Sequence, residues 1–174
     1  MALVVESGSG SATAESYVSV ADANTYFTSS RGDSADYSTS GEWLHADTST
    51  AMKEACLRWA TRTLDLYVLW PGEKSSTTQA LRWPRRYVID VDDDEILATT
   101  IPTWLKNANC ELARGFLLED RTEDPEIGLS SVGQLVFNPF DRAGVLSRAA
   151  KDIILGSIQD VSFRGSRSRE AVRS

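Results

Sequence analysis

Two tryptophan–proline steps, Trp70-Pro71 and Trp83-Pro84, constrain the fold of this chain most, because they lie between two helix-like segments. Proline fixes its own φ and disfavours helix at the preceding residue, so both tryptophans are expected on extended backbone. Residues 81–91 have the aromatic and β-branched content of a strand, and the acidic residues 92–94 predict a turn. The stretch predicts a rigid shape that carries no catalytic constellation.

Apolar spacing predicts four helices around this rigid stretch. The first covers about residues 20–30, opened by a capping box at Ser19 with Asp22 in place of Glu. The third opens at 100–102 with Pro102 at the first helical position, and the fourth covers about residues 141–159 from a cap at Asp141. The second, about residues 49–67, is the most regular. Its residues at helical spacing are Met52, Cys56, Trp59, Ala60, Thr63 and Tyr67.

Shorter patterns complete the expected organisation. Residues 2–5 and 133–137 are predicted to be strands. Residues 6–15 are predicted to be a Ser/Gly/Ala linker that contributes no core residues. The predicted fold is mainly α: a small bundle of about four helices with a short β-hairpin or extended strands and an extended C-terminal arm. The expected domain covers residues 1–160 and the basic arm residues 161–174.

Charge and cysteine usage narrow the function classes. The net charge is −7, yet the last fourteen residues hold four arginines against Glu170, which predicts an arm that meets a partner. Cys56 and Cys110 lack the neighbours of a zinc or redox site, and His45 stands alone in a polar loop. No apolar run is long enough to cross a membrane. The chain is expected to have no enzymatic activity, cofactor or metal, and to be made in a cytoplasm.

Single-stranded nucleic acid is the alternative partner. Arg82, Arg85 and Arg86 interleave with Trp83 and Tyr87, a composition of cations and stacking rings that single-strand binders use. Against this, such proteins are usually basic, and the sequence pI is about 4.7.

Several motifs in order resemble the head–tail connector (adaptor) proteins of tailed phages, whose sequences also carry the label DnaT-like single-stranded DNA-binding protein. They are M-A-L-V-V-E-S-G-S-G, S-Y-V-S-V-A-D-A-N-T-Y-F, A-C-L-R-W-A-T-R-T-L-D, W-P-G, Q-A-L-R-W-P-R and I-P-T-W-L-K-N-A-N-C-E-L-A, within residues 1–118. The resemblance implies a ring, commonly of twelve copies, in the neck of a virion. Its partners would be the portal, a tail terminator or stopper protein, and genomic double-stranded DNA passing through the ejection channel.

The leading hypothesis is therefore a structural adaptor of the phage neck, and the alternative is a single-stranded DNA-binding replication protein. The residues expected to contact other subunits, the portal or the tail are rigid aromatic residues and arginines. These interface residues are Trp70, Trp83, Arg85, Arg86, Arg164, Arg167 and Arg169.

Overall fold

Four α-helices lie where apolar spacing predicts them. The computed structural model describes residues 2–30, 43–118, 131–132, 135–136 and 145–164. Helix α1 is followed directly by a π-helical turn, Tyr26–Ser30, so the predicted first helix is confirmed over its full length. The helices are α1 (Val20–Thr25), α2 (Thr50–Tyr67), α3 (Thr103–Leu118) and α4 (Arg148–Leu155).

Serine side chains begin three of these helices. The Ser19 hydroxyl accepts a hydrogen bond from the Asp22 N–H at 3.0 Å, as the capping pattern predicts. Ser147 caps α4 in the same way, so that helix begins later than expected; Asp141, the predicted cap, lies outside the described residues. Pro102 precedes α3 rather than opening it, because its carbonyl already accepts from the Lys106 N–H at 3.2 Å.

Strands are very short and pair only in twos. The predicted strand over residues 81–91 is reduced to one two-residue strand and isolated bridges, and residues 2–5 contribute only the bridge of Val5 with Ser16. One of the pairings joins residues 68–69 to residues 162–163, near the C-terminal end of the described residues. The antiparallel pairs are β1 (Val68–Leu69) with β6 (Ser162–Phe163), β2 (Glu73–Lys74) with β3 (Arg85–Arg86), and β4 (Ser131–Val132) with β5 (Leu135–Val136).

The prediction of a mainly α fold is wrong, since the described residues form a mixed α/β structure. Two of the four helices are short, with 6 and 8 residues. The whole connection between α2 and α3, residues 68–102, is built from strands, bridges and turns, because Pro71, Gly72 and Pro84 interrupt helix. Helix α3 packs between α2 and α4, and their contact forms the core around Leu57, Leu64, Leu105, Leu112 and Ile154.

The predicted N-terminal linker is an ordered loop that belongs to the core. The carboxylate of Glu6, only 1% exposed, accepts hydrogen bonds from the N–H groups of Gly8, Gly10 and Ser11 at 2.7–3.0 Å. Gly8 has φ +103°, and a Cβ there would lie 2.0 Å from the Thr99 carbonyl oxygen. Glycine therefore lets this loop close onto the residues that lead into α3.

Candidate nucleic-acid interface

The tryptophans of the Trp-Pro segment lie inside the molecule. Trp83 is fully buried, and Trp70 is partly buried against it. The Trp83 ring meets the Trp70 ring edge to face at 5.9 Å between centroids and the Trp104 ring at 5.4 Å. Such contacts add to the burial energy of large aromatic rings. Trp83 is thus part of the core of one chain, and its predicted role between subunits stays a prediction.

Arg85 binds backbone carbonyl oxygens of the same segment. Its guanidinium donates to the carbonyl oxygens of Pro71 at 2.6 Å and Gly72 at 2.5 Å, and also to those of Trp70 and Arg82. The side chain is 93% hidden, and burial lowers the pKa of its guanidinium. Arg85 therefore stabilises the Trp-Pro-Gly turn within one chain, and its predicted contact with another subunit stays a prediction.

A buried polar pair fastens this segment to the rest of the fold. The Tyr17 hydroxyl donates to Asp65 at 2.5 Å and accepts from the backbone N–H groups of Arg82 and Trp83. Asp65 accepts a second bond from the Arg82 N–H at 2.9 Å. Burial raises the pKa of the Asp65 carboxyl to about 6 and that of Tyr17 well above 10. The ionisable carboxyl of Asp65 on α2 thus holds the Trp-Pro segment in place, together with Tyr17.

The remaining predicted interface residues differ in access. Arg86 is exposed, although its guanidinium donates to the Ser75 carbonyl at 2.7 Å. Arg164 is exposed, and its N–H bonds to the Tyr67 carbonyl at 2.8 Å. Arg167 and Arg169 lie outside the described residues. For all of these residues an intersubunit or portal contact stays a prediction.

The sequence prediction missed the outer face of α2, where it placed Met52 and Trp59 on the buried side. The structure leaves Met52 51%, Trp59 40% and Leu66 54% exposed. The buried side is formed instead by Leu57, Ala60, Thr61, Thr63 and Leu64. The spacing of Met52, Trp59 and Leu66 by seven residues was the available signal, because a seven-residue interval returns to the same helix face.

A groove of about 580 Å³ follows this face, which we call the α2 groove. The Trp59 ring lies stacked on Phe116 of α3, with 5.4 Å between centroids and 25° between planes. Phe116 does not line the groove, so it supports the indole from behind. The lining residues are Ala55, Arg58, Trp59, Arg62, Thr63, Leu66 and Tyr67.

A second depression of about 420 Å³ adjoins the α2 groove, since Arg62 and Leu66 line both. It reaches Asp65 and Arg82, so the two hollows form one continuous surface track. Within the described parts of the chain, the guanidinium groups of Arg62 and Arg82 form neither a salt bridge nor a hydrogen bond. The track therefore has one exposed indole and two available cations.

Carboxylates limit the charge of the track. Arg58 pairs with Glu15 at 3.0 Å and with Glu54 at 3.5 Å, so its charge is compensated. The hydrogen bond from Arg58 lowers the pKa of the Glu15 carboxyl, which keeps that group ionised. Among the described residues of the track, Arg62 at the junction and Arg82 in the second depression form no salt bridge, although the Glu15 and Asp65 carboxyl groups lie near enough to lower their net field.

The described residues give little support for metal binding, a membrane span or thiol chemistry. Across residues 2–30, 43–118 and 145–164, no three metal-ligating side chains come together, and no described helix is long and apolar enough to span a bilayer. Burial raises the pKa of the Cys110 thiol to about 12 and also raises that of Cys56, which disfavours the reactive thiolate. The expected absence of catalysis, cofactor and metal stays a prediction.

Comparison with known proteins identifies the family. Residues 1–136 match the family described as "Putative DnaT-like ssDNA binding protein". The match covers well over half of the chain, and the protein therefore belongs to this family. No curated protein and no solved structure matches the chain.

The family membership corrects the leading sequence hypothesis. The assignment as a head–tail connector is wrong, because the matching family is described by single-stranded DNA binding and no comparison indicates a portal, neck or virion structural role. The finding favours the alternative hypothesis. The predicted ring, its portal, tail and double-stranded DNA partners, the virion location and the domain limits at residue 160 are tested by no observation and stay predictions.

Proposed function

We propose that the protein binds single-stranded DNA along the α2 groove. One observation carries the proposal: Trp59 is an exposed indole, backed by Phe116 and flanked by arginines, in a groove on the surface. Single-strand binders combine aromatic rings on which bases stack with a cationic path for the backbone. The family description names this same class of ligand.

Stacking on Trp59 supplies most of the affinity. An unpaired base extends the ring stack that Trp59 already forms with Phe116, at the face that borders the groove. Each base stacked on an aromatic side chain contributes roughly 1–3 kcal/mol and does so for all four bases. The bases of a duplex are stacked on each other and cannot reach the indole. Preference for single strands and tolerance of sequence follow from this geometry.

Arg62 and Arg82 contact successive phosphates along the track, on the side of the stacked base that leads to the second depression. Both lie on the continuous track, and neither guanidinium forms a salt bridge or a hydrogen bond among the described residues. The net charge of −7 opposes the approach of DNA, so the affinity is expected to be moderate and to depend on salt. With two phosphates neutralised, the logarithm of affinity should fall with the logarithm of salt at a slope of about −1.4.

Fluorescence anisotropy of a labelled oligodeoxythymidine tests the proposal. We expect saturable binding that is weakened by salt, with a labelled duplex of the same length bound much more weakly. The variant R62Q should reduce the magnitude of the salt slope by about 0.7, because one phosphate contact is lost. R148Q is the matched control, since Arg148 is an exposed arginine on α4. Binding that prefers the duplex, or no saturable binding at low salt, contradicts the proposal.

A further inference from the structure

Residues 87–97 form a second surface, which is strongly negative in charge. We call it the acidic hairpin. Ile89 lies opposite Glu95 in antiparallel register, and the Ile96 N–H donates to the Val88 carbonyl at 2.9 Å. Side chains alternate between the two faces of such a ribbon. Val88 is fully buried on the inner face, so Ile89, Val91 and Leu97 occupy the outer one.

Apart from Glu95, which lies opposite Ile89, the outer face is apolar and open to solvent in the described structure. Ile89 is 37% exposed, Val91 49% and Leu97 70%, and Tyr87 beside them is 65% exposed. Contiguous apolar side chains in solvent mark an interaction surface more often than scattered single ones. This ribbon face therefore fits a partner that brings apolar side chains.

Charge selects the kind of partner. The hairpin also carries five carboxylates, which are Asp90, Asp92, Asp93, Asp94 and Glu95. They repel the backbone of a nucleic acid, and they oppose a symmetric contact with the same face of a second copy. The fitting partner is cationic with a few apolar side chains.

We propose that the chain's own residues 165–174 dock on the outer face of the acidic hairpin. Their sequence brings Arg167, Arg169 and Arg173 against the single carboxylate of Glu170, together with Ala171 and Val172. Outside this C-terminal region, only the stretch around Arg82, Arg85 and Arg86 holds three arginines within ten residues, and that stretch belongs to the described fold. Charge complementarity and apolar content thus agree on one occupant.

The path of the chain makes docking within one molecule the favoured arrangement. Gln159 attaches the preceding segment to the hairpin, because its amide donates to the Asp90 carbonyl and the Asp93 carboxylate, each at 2.8 Å. Residues 165–174 extend up to about 33 Å, roughly twice the radius of gyration of a domain of this length. A short connection gives an effective concentration of about millimolar, which a second copy reaches only in concentrated solution.

Amide NMR shifts of the full chain, which do not depend on the proposed DNA binding, test the docking. The variant D92K/D94K reverses charge on the hairpin, and R167E/R169E reverses it on the C-terminal residues. Asp90 and Asp93 are left intact, because their side chains hold the turn and Gln159. We expect dispersed shifts for residues 165–174 in the original chain, collapse to random-coil values in either variant, and recovery when both are combined.

The control and the contrary outcomes are equally specific. D47K reverses an exposed carboxylate outside the hairpin and should leave the shifts of residues 165–174 unchanged. Random-coil shifts for these residues in the original chain at low salt would overturn the proposal. So would shifts that change on dilution, which would assign the docking to a second copy, or failure of the combined variant to restore them.

Discussion

The Trp-Pro segment and the outer face of α2 contain the same residue types, tryptophan and arginine, and the fold uses them in opposite ways. In the segment, Trp83 is fully buried and Arg85 binds backbone carbonyls. On α2, Trp59 is 40% exposed, and Arg62 is exposed and forms no salt bridge within the described chain. The first arrangement stabilises the fold, and the second presents a stacking ring and a cation to solvent.

The difference shows that composition does not distinguish a core from a binding site. A guanidinium in the interior must have its donors satisfied, so Arg85 is surrounded by carbonyl oxygens. A guanidinium at the surface keeps water on its donors and can exchange that water for a phosphate. Access, and the partners already present, therefore decide which arginine can bind DNA.

The largest expected contrast is in tryptophan truncation. W83A removes a fully buried ring that contacts two other indoles, and it should lower the free energy of unfolding by about 3–5 kcal/mol. W59A loses a half-exposed ring and one stacking contact and should cost only about 1 kcal/mol. Urea denaturation followed by circular dichroism measures both. Equal losses in the two variants would contradict the assigned difference in burial.

Substitution of Arg85 and of Arg62 should show the same contrast, with a large loss of stability for the buried side chain and a small one for the exposed side chain. R85Q leaves the carbonyl oxygens around Pro71 and Gly72 without their charged donor, at a cost of about 3 kcal/mol in unfolding free energy. R62Q changes an exposed side chain and should alter that free energy by less than about 0.5 kcal/mol. Thermal unfolding of the pair checks this. A stable R85Q protein would show that the Trp-Pro-Gly turn does not need the guanidinium.

A pH dependence follows from Asp65, which joins the two regions. Its pKa is raised from 3.8 to about 6 in the fold, so the folded state binds the proton more tightly than the unfolded state. The stabilising contribution is complete below pH 3.8 and is lost as the pH rises through about 6. The shift corresponds to at most roughly 3 kcal/mol, reduced by water in the adjoining depression.

D65N isolates this contribution, because the amide does not ionise, and its loss of one of the two hydrogen bonds that Asp65 accepts does not vary with pH. The stability of the original chain relative to D65N should decrease between about pH 4 and pH 7, by roughly 2 kcal/mol. Chemical denaturation of both proteins across this range gives the difference. A difference that does not vary with pH, or that varies in the opposite sense, would mean that Asp65 has an ordinary pKa in the fold.

Periodicity predicted the helices well, and tertiary contacts decided what it could not. The extent of α2 and the Ser19 cap could be predicted, since both depend on local spacing and hydrogen bonding. The burial of Glu6 could not, because its partners become visible only when the loop closes on the residues before α3. The mixed α/β character was missed for the same reason: two-residue strands such as β1 and β6 pair across most of the chain.

The kind of site that we propose was foreseen from the sequence, but on other residues. Interleaved arginine and aromatic residues indicated single-stranded DNA as the alternative partner of the segment that holds Arg82, Trp83, Arg85, Arg86 and Tyr87. The proposed face joins Trp59 of α2 to Phe116 of α3 and, through Arg62, to Arg82 of the Trp-Pro segment. Such a combination depends on how helices pack, which a single sequence does not specify.

The affinity of W59A for a labelled oligodeoxythymidine tests the central claim most directly. L155A serves as the matched control, since Leu155 is a half-exposed apolar side chain on α4, outside the track. With both variants shown to be folded, W59A should bind about 5- to 150-fold more weakly than the original chain, because a stacked base is lost. L155A should bind as the original chain does. Equal affinity of W59A and the original chain would contradict the assignment of the α2 groove as the DNA-binding site.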